Sequence, residues 1–553
     1  MDAIKRKYRL LGLLLAAALT LSLLTGCVSG AKTARMAPQD AQTLDTTGFL
    51  VAVEDEPDTV DFQCTTIYYT VATNVFNRLV EMEVDENGAV RIVPSLAESW
   101  EVSDDGCRYT LHLRPGVRFS NGSPLTAEDV RYTFTRLLTH PDSCNRDIAD
   151  EILGAQALER GESDRLEGFE ILSELDFAIT LENPFSAFLA CLSMPGASIL
   201  DQESTEAAGE RFGMEADATV GTGSFILRRW ERGVGMVLSA NPDCWEGPPA
   251  CAGLVWRFMT EPEEIRMQFE RGELDFLDLD DLNNAAEFFL HGDIYRDRLF
   301  PVQRIAITYI ALNESVKPLD DVRVRKALQL ALNRTALLDA VYGGRGFLEN
   351  GILPRGVHGY NPALPEIPYD LETARALLEE AGYPDGFELT FAVKTSSTQW
   401  EMTLSTLVAA MWEKIGVRTN VDMMEESEFM RLRKSGQLTS YAAMWTADFN
   451  DPDNFFYTFF GCTENTRFRS LNYADEAVME RVRKARSIAD DEARIAEYRE
   501  LERIIIQEDA AWIPLFSRLH YYVVGERVSG FKTSWNGSVK NNYRYMSVTR
   551  AES

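Results

Sequence analysis

Tyr109-Thr110-Leu111-His112-Leu113-Arg114-Pro115-Gly116 is followed by Asn121-Gly122 and then by Thr126-Ala127-Glu128-Asp129-Val130. Residues 109–113 alternate between apolar and polar side chains, the period of a strand with one face buried. Arg114-Pro115-Gly116 turns the chain, and Asn121-Gly122 is a hairpin signal. Thr126 precedes Glu128 and Asp129, an N-cap followed by acids in the first helical turn. Val130, Phe134, Leu137 and Leu138 then recur at helical spacing. A strand, a turn and an amphipathic helix thus follow one another directly.

The same alternation extends outward. Arg91–Trp100 is followed by the turn Ser103-Asp104-Asp105-Gly106. Downstream, strands are predicted at Ala178–Leu181, Phe225–Trp230, Met236–Ser239, Phe387–Val393 and Val417–Met423. Helices are predicted after Asp320-Asp321, from Leu371 to Ala381 with Asp370 as cap and Gly382 as stop, and from Leu404 to Ile415. Residues 477–506 carry long helical patterning. Gly221-Thr222-Gly223 reads as a glycine turn, with positive φ as the reason for glycine. No internal repeat is visible. Strands and helices alternating throughout imply an α/β chain with mixed sheets.

At 553 residues, 45% of them apolar, the chain is long enough for several domains and is not collagen-like, coiled-coil or polytopic. Its 86 acidic and 55 basic residues give a formal charge of −31, a surface that repels phosphate backbones. Nucleic acid is therefore not an expected partner. Lys5, Arg6, Lys7 and Arg9 precede the apolar run Leu10–Leu24, which is short for a bilayer span. Leu24-Thr25-Gly26-Cys27 then resembles a bacterial lipobox, so residues 1–26 are expected to be a signal peptide and Cys27 the lipid attachment point. Residues 28–47 read as a flexible tether. Seven further cysteines have no CxxC spacing; an odd number cannot all pair, and mostly free, buried thiols are expected.

Positive signals for catalysis are missing. His112, His140, His291, His358 and His520 are scattered without HExxH spacing, and no GxSxG elbow appears. No enzyme activity, cofactor or metal is expected. The most informative stretch is Met444-Trp445-Thr446-Ala447-Asp448-Phe449-Asn450-Asp451-Pro452-Asp453-Asn454-Phe455-Phe456. It gathers carboxylates fit to meet an ammonium and aromatic rings fit to exclude water. Asp451 and Asp453 also read as N-cap aspartates of a helix over Phe455–Phe460.

Several segments together resemble the extracytoplasmic solute-binding proteins of ABC importers, in the dipeptide/oligopeptide-binding family 5 group. They include Glu56–Asp61, Pro94–Trp100, Leu111–Val130, Gly221–Phe225, Asn241–Trp245, Asp321–Leu328, Ala374–Gly382 and Trp445–Asn454. The resemblance implies a periplasmic-binding-protein-like, type II (cluster C) fold. Residues 48–73, 184–300 and 516–553 would form lobe one, 74–183 an extra subdomain and 301–515 lobe two, hinged near 300 and 515.

The resemblance further implies a monomeric receptor, lipid-anchored on the extracytoplasmic face of the bacterial membrane, that hands its solute to a permease. Asp448 matches the aspartate that holds a peptide α-amine. Trp445 and Thr446 would offer backbone to an extended peptide, and Thr66 and Tyr68 match a facing strand. Arg433 matches an arginine that meets a short peptide's carboxylate, although Arg431-Leu432-Arg433-Lys434 equally reads as a solvated helix face. Two positions depart from the pattern: the dipeptide binders' carboxylate clamp falls at Thr395, beside Lys394, and a common pocket aromatic falls at Glu426. A nickel complex, an oligosaccharide or an opine is the alternative solute, and an extracytoplasmic hydrolase is the rival class.

Overall fold

The computed structural model describes residues 46, 48–86, 89–538 and 542–549. The signal peptide, the tether up to 45 and Cys27 lie outside the described residues. Among the described residues no helix is long and apolar enough to cross a membrane.

The opening stretch folds as its pattern dictates. Arg108–Leu113 is a strand whose side chains alternate in burial, with Tyr109, Leu111 and Leu113 inward. Ala127–Thr139 is a helix entered through a capping box: the Thr126 hydroxyl and the Asp129 carboxylate satisfy each other's backbone amides. This strand pairs with Ala97–Val102 and Asp176–Thr180, and the latter with Phe169–Ile171, in an antiparallel four-stranded sheet. The helix seats Val130, Phe134, Leu137 and Leu138 in one core with that sheet.

A second four-stranded sheet runs in the order Leu50–Val53, Gly253–Arg257, Gly235–Ala240, Phe225–Glu231, with only its first pair parallel. The largest sheet has eight strands. It is organised on the long strand Trp512–Val524, whose first half pairs with Ala306–Leu312 and Gly346–Leu348. Its second half pairs with Leu299–Gln303 and Phe276–Asp278. Ala306–Leu312, buried at every position, continues to Ser440–Thr446. Phe387–Lys394 and Val417–Met424 follow in parallel, joined by the helix Gln399–Glu413 as a strand–helix–strand unit.

Three expectations need correction. The patterning over 477–506 is two helices, Glu476–Ala485 and Asp491–Arg503, because Asp490 caps a fresh helix by accepting from the Ala493 amide. Neither Gly221 nor Gly223 has positive φ. A Cβ on Gly221 would stand 2.1 Å from the Val75 carbonyl oxygen, and one on Gly223 2.6 Å from that of Asn74, so glycine is required by close backbone approach. The seven described cysteines are free thiols, but only Cys191, Cys244 and Cys251 are buried and Cys144 is exposed.

Candidate functional site

The site is built where one strand leaves its sheet. Ser440–Thr446 pairs along its whole length with Ala306–Leu312, Trp445 opposite Ile307 and Thr446 opposite Ala306. On its other edge Phe387–Lys394 meets it only at Tyr441, so beyond Tyr441 that edge has no strand neighbour among the described residues. The chain then passes between two cores. Ala447 is buried with the aromatics of 455–512, and Phe449, 7% exposed, is buried in the core of the 97–180 sheet. Asp448, held between them, faces the intervening space and lines two cavities, of about 150 and about 730 Å³.

Asp448 is exposed, its side chain opening onto these two cavities. Partial removal from water raises its pKa to about 6, against the lowering effects of Asn454 and the Arg469 charge. Asn454 fixes the whole turn. Its Nδ2 donates to Asp448 Oδ2 at 3.0 Å, while its Oδ1 accepts from the Asp448 amide at 3.1 Å and from Trp445 Nε1 at 3.3 Å. Trp445 stands edge-on to Phe459, with centroids 5.3 Å apart, and carries the Arg469 guanidinium 4.6 Å above its ring centroid. Asn454 and Arg469 were not singled out by sequence. Asn454 was legible as an amide in the first turn after Pro452, whereas Arg469 has no local signal.

The larger cavity is rich in acids: Asp147, Asp150, Glu151, Glu162, Glu182, Asp448 and Asp453 line it with Arg160, Arg469 and Arg486. Arg486 is committed to Asp453 at 2.9 Å and Glu151 at 2.7 Å. Asp451 pairs with Arg494 at 2.8 Å and accepts from the Asp453 amide at 2.9 Å. Asp451 thus does a cap's work, but the capping position of the helix Asp453–Phe460 is Pro452, and Asp453 lies inside the first turn. Both aspartates are tied up in buried ion pairs.

The remaining sequence candidates are dispersed. Thr446 and Tyr68 line a third cavity, of about 400 Å³, together with Met444, Arg304 and His520. Thr66 is exposed and lines none of these three cavities. The expected facing strand is absent: residues 66–68 form a bend, because the Thr65 hydroxyl turns back on Ile67 and Tyr68 adopts a left-handed φ of 60°. Behind the bend, Asn145 donates to the carbonyls of Phe62 and Thr65 at 2.9 and 2.7 Å and lies 3.0 Å from the Tyr69 hydroxyl.

Arg433 sits on the helix Glu426–Lys434, its guanidinium 5.9 Å from the Phe468 ring, and is not among the residues lining the Asp448 cavities. Thr395 and Glu426 do not line them either, and Lys394 is placed between Glu401 and Glu426 at 4.0 and 3.7 Å.

Sequence spacing also missed a cluster that only strand pairing assembles. Asp278, Asp280 and His520 bring ligand-type atoms within 4.8 Å of one another. The imidazole nitrogens lie 2.7 Å from Asp278 and 2.9 Å from Asp280, and Arg518 also pairs with Asp280. Burial alone would lower the His520 pKa, but the two carboxylates lift it to about 9. Two cations facing two carboxylates make this a balanced ion-pair network.

With this geometry, the fold and the open-edged strand beside a cavity-lining aspartate are those of a binding protein. The chain belongs to the bacterial extracellular solute-binding proteins, family 5, whose model matches residues 91–467. It is 30% identical to heme-binding protein A of Haemophilus influenzae over 85% of this chain and 86% of that one. It is 31% identical to di/tripeptide-binding protein 2 of Pseudomonas aeruginosa, covering 81% of this chain and 85% of the relative. Among solved structures, HbpA2 from Haemophilus parasuis superposes with a TM-score of 0.75 at 26% identity, covering 91% of this chain and 99% of the other.

Proposed function

We propose that this protein is the extracytoplasmic receptor of an ABC importer for short peptides, held to the membrane by a lipid on Cys27. The peptide's α-ammonium meets Asp448, and its backbone extends along the free edge at Trp445 and Thr446. Residues 48–73, 184–300 and 516–553 act as one lobe with the extra subdomain 74–183, and residues 301–515 act as the other. A ligand that touches both lobes favours their closure, and the closed monomer is what the permease recognises. The peptide is released unchanged.

The observation that carries this reading is the placement of Asp448: a carboxylate lining two cavities, bonded through one oxygen to Asn454 and, among the described residues, unpaired with any cation at ion-pair distance. Partly desolvated, such a group binds an ammonium far better than a surface carboxylate does. The di/tripeptide-binding relative and the family match give the solute class its support.

The test is native mass spectrometry of the purified protein incubated with a dipeptide and tripeptide mixture. Intact peptides should co-elute with the protein and return at their original masses. Shortened peptides, or no retained peptide, would overturn the proposal.

A further inference from the structure

The segment around Arg469 is unusual in a chain of net charge −31. The cavity-lining Arg160 bonds the Gln156 side chain, and two other arginines near the site are matched by acids, Arg486 by Asp453 and Glu151, and Arg494 by Asp451. Arg469 is not: among the described residues its guanidinium has no hydrogen bond and no ion pair. It is half-buried, its guanidinium carbon lying 4.6 Å from the Trp445 ring centroid and 5.1 Å from that of Phe459. Those ring contacts offset part of the cost of drawing a cation out of water, but they supply no hydrogen-bond acceptor for its five donors.

The backbone beneath Arg469 is held in place. The Tyr441 hydroxyl donates to the Arg469 carbonyl at 2.7 Å, and the buried Ser470 hydroxyl donates to the Arg433 carbonyl at 2.9 Å. Ser470 and Asn472 take left-handed φ of 49° and 46°, conformations that persist only where surrounding contacts impose them. Arg433 repels Arg469, so the neighbouring helix adds positive field at this end of the cavity. Asp448 lines the same cavity, is influenced by the Arg469 charge and is not ion-paired with it. The cavity therefore offers an anion and a cation, separate, each without a partner of opposite charge.

We propose that Arg469 receives a carboxylate of the same ligand whose ammonium meets Asp448, so that the site selects short zwitterionic peptides. This rests on the peptide-receptor reading and adds the second charged anchor and a limit on ligand length. It also accounts for the departure at Thr395, since the carboxylate-binding charge is supplied from another part of the chain. A guanidinium carries its edge donors in its own plane, suited to two-point bonding of a carboxylate.

The experiment is calorimetric titration of the full mature protein with Ala-Ala, Ala-Ala-amide, N-acetyl-Ala-Ala and Glu-Ala-amide, repeated with Arg469→Met and Arg469→Lys. For the unaltered protein, amidation of Ala-Ala should weaken binding at least tenfold. Arg469→Met should lose the same factor for Ala-Ala and no longer distinguish acid from amide, a coupling that a merely structural role would not produce. Arg469→Lys should keep part of the discrimination, and it keeps the test valid if the Met variant folds poorly. If Glu-Ala-amide binds as tightly as Ala-Ala and depends equally on Arg469, the carboxylate received is a side chain's, and the role of Arg469 stands.

Equal binding of Ala-Ala and both amides, with sensitivity to N-acetylation retained, would overturn the Arg469 inference and leave the peptide reading intact. Amide discrimination that survives in Arg469→Met would also overturn it. Failure of every probe to bind would remove both.

Discussion

Replacing Asp448 by Asn keeps the side chain's shape and removes only its charge. Asn454 can still bond it, so the turn between the two cores should persist. What is lost is one charge-assisted hydrogen bond to the ligand's ammonium, about 1.5–3 kcal/mol in a shielded site. At about 1.4 kcal/mol per decade this corresponds to a roughly 10- to 150-fold weaker Kd. The pH dependence sharpens the test. The pKa of Asp448 in the free protein is raised to about 6, and a protonated carboxyl cannot pair with an ammonium. Peptide affinity of the unaltered protein should therefore be full above pH 6 and fall about tenfold per pH unit well below it. Above about pH 8 it falls again as the peptide's own amine deprotonates. Asp448→Asn should be flat between pH 5 and 7. Calorimetry with one dipeptide at fixed ionic strength measures both. An Asn variant of unchanged affinity, or an unaltered protein whose affinity ignores pH between 5 and 7, would refute the ammonium anchor.

Three further outcomes are expected. Arg486→Ala strips the partner from Asp453, itself 4% exposed, and should cost about 3 kcal/mol of stability in urea unfolding monitored by tryptophan fluorescence; a loss under about 1 kcal/mol would mean the ion pair is dispensable. Gly223→Ala places a Cβ 2.6 Å from backbone atoms of Asn74 and Val75, and by overpacking should destabilise by about 1–3 kcal/mol; a neutral result would show that this approach relaxes freely. Stability should decline as pH rises from 5.5 to 9.5. Burial raises Glu314, Glu349 and Glu502 each to about 7, above their unfolded value, so their contribution is full below the unfolded pKa and is lost as pH passes 7. His520, lifted to about 9, contributes below its unfolded pKa and loses that contribution as pH passes 9. An unfolding midpoint that rises over this range would contradict the assignment.

Local pattern carried much of the architecture. The alternation at Arg108–Leu113, the cap at Thr126 and the cap at Asp370 act over a few residues, so their strands and helices were readable before any contact was known. The importance of the Trp445–Asn454 stretch was equally legible, because it places carboxylates and aromatic rings next to one another. The bend at Thr66–Tyr68 was not, since an extended backbone and a left-handed Tyr68 share the same sequence signal.

By itself, then, the amino-acid order determined an acidic α/β chain of alternating strands and helices, the family resemblance, and the segment that holds the candidate anchor. Only tertiary structure decided how that anchor behaves. Ala447 and Phe449 are drawn into different cores, and this is what turns Asp448 into the space between them and raises its pKa. Arg469 joins it across the cavity, and Asp278 meets His520, through packing and strand pairing between distant segments. Charge and desolvation depend on which groups end up within a few ångströms of one another, and that is a property of the folded chain rather than of any short window of its sequence.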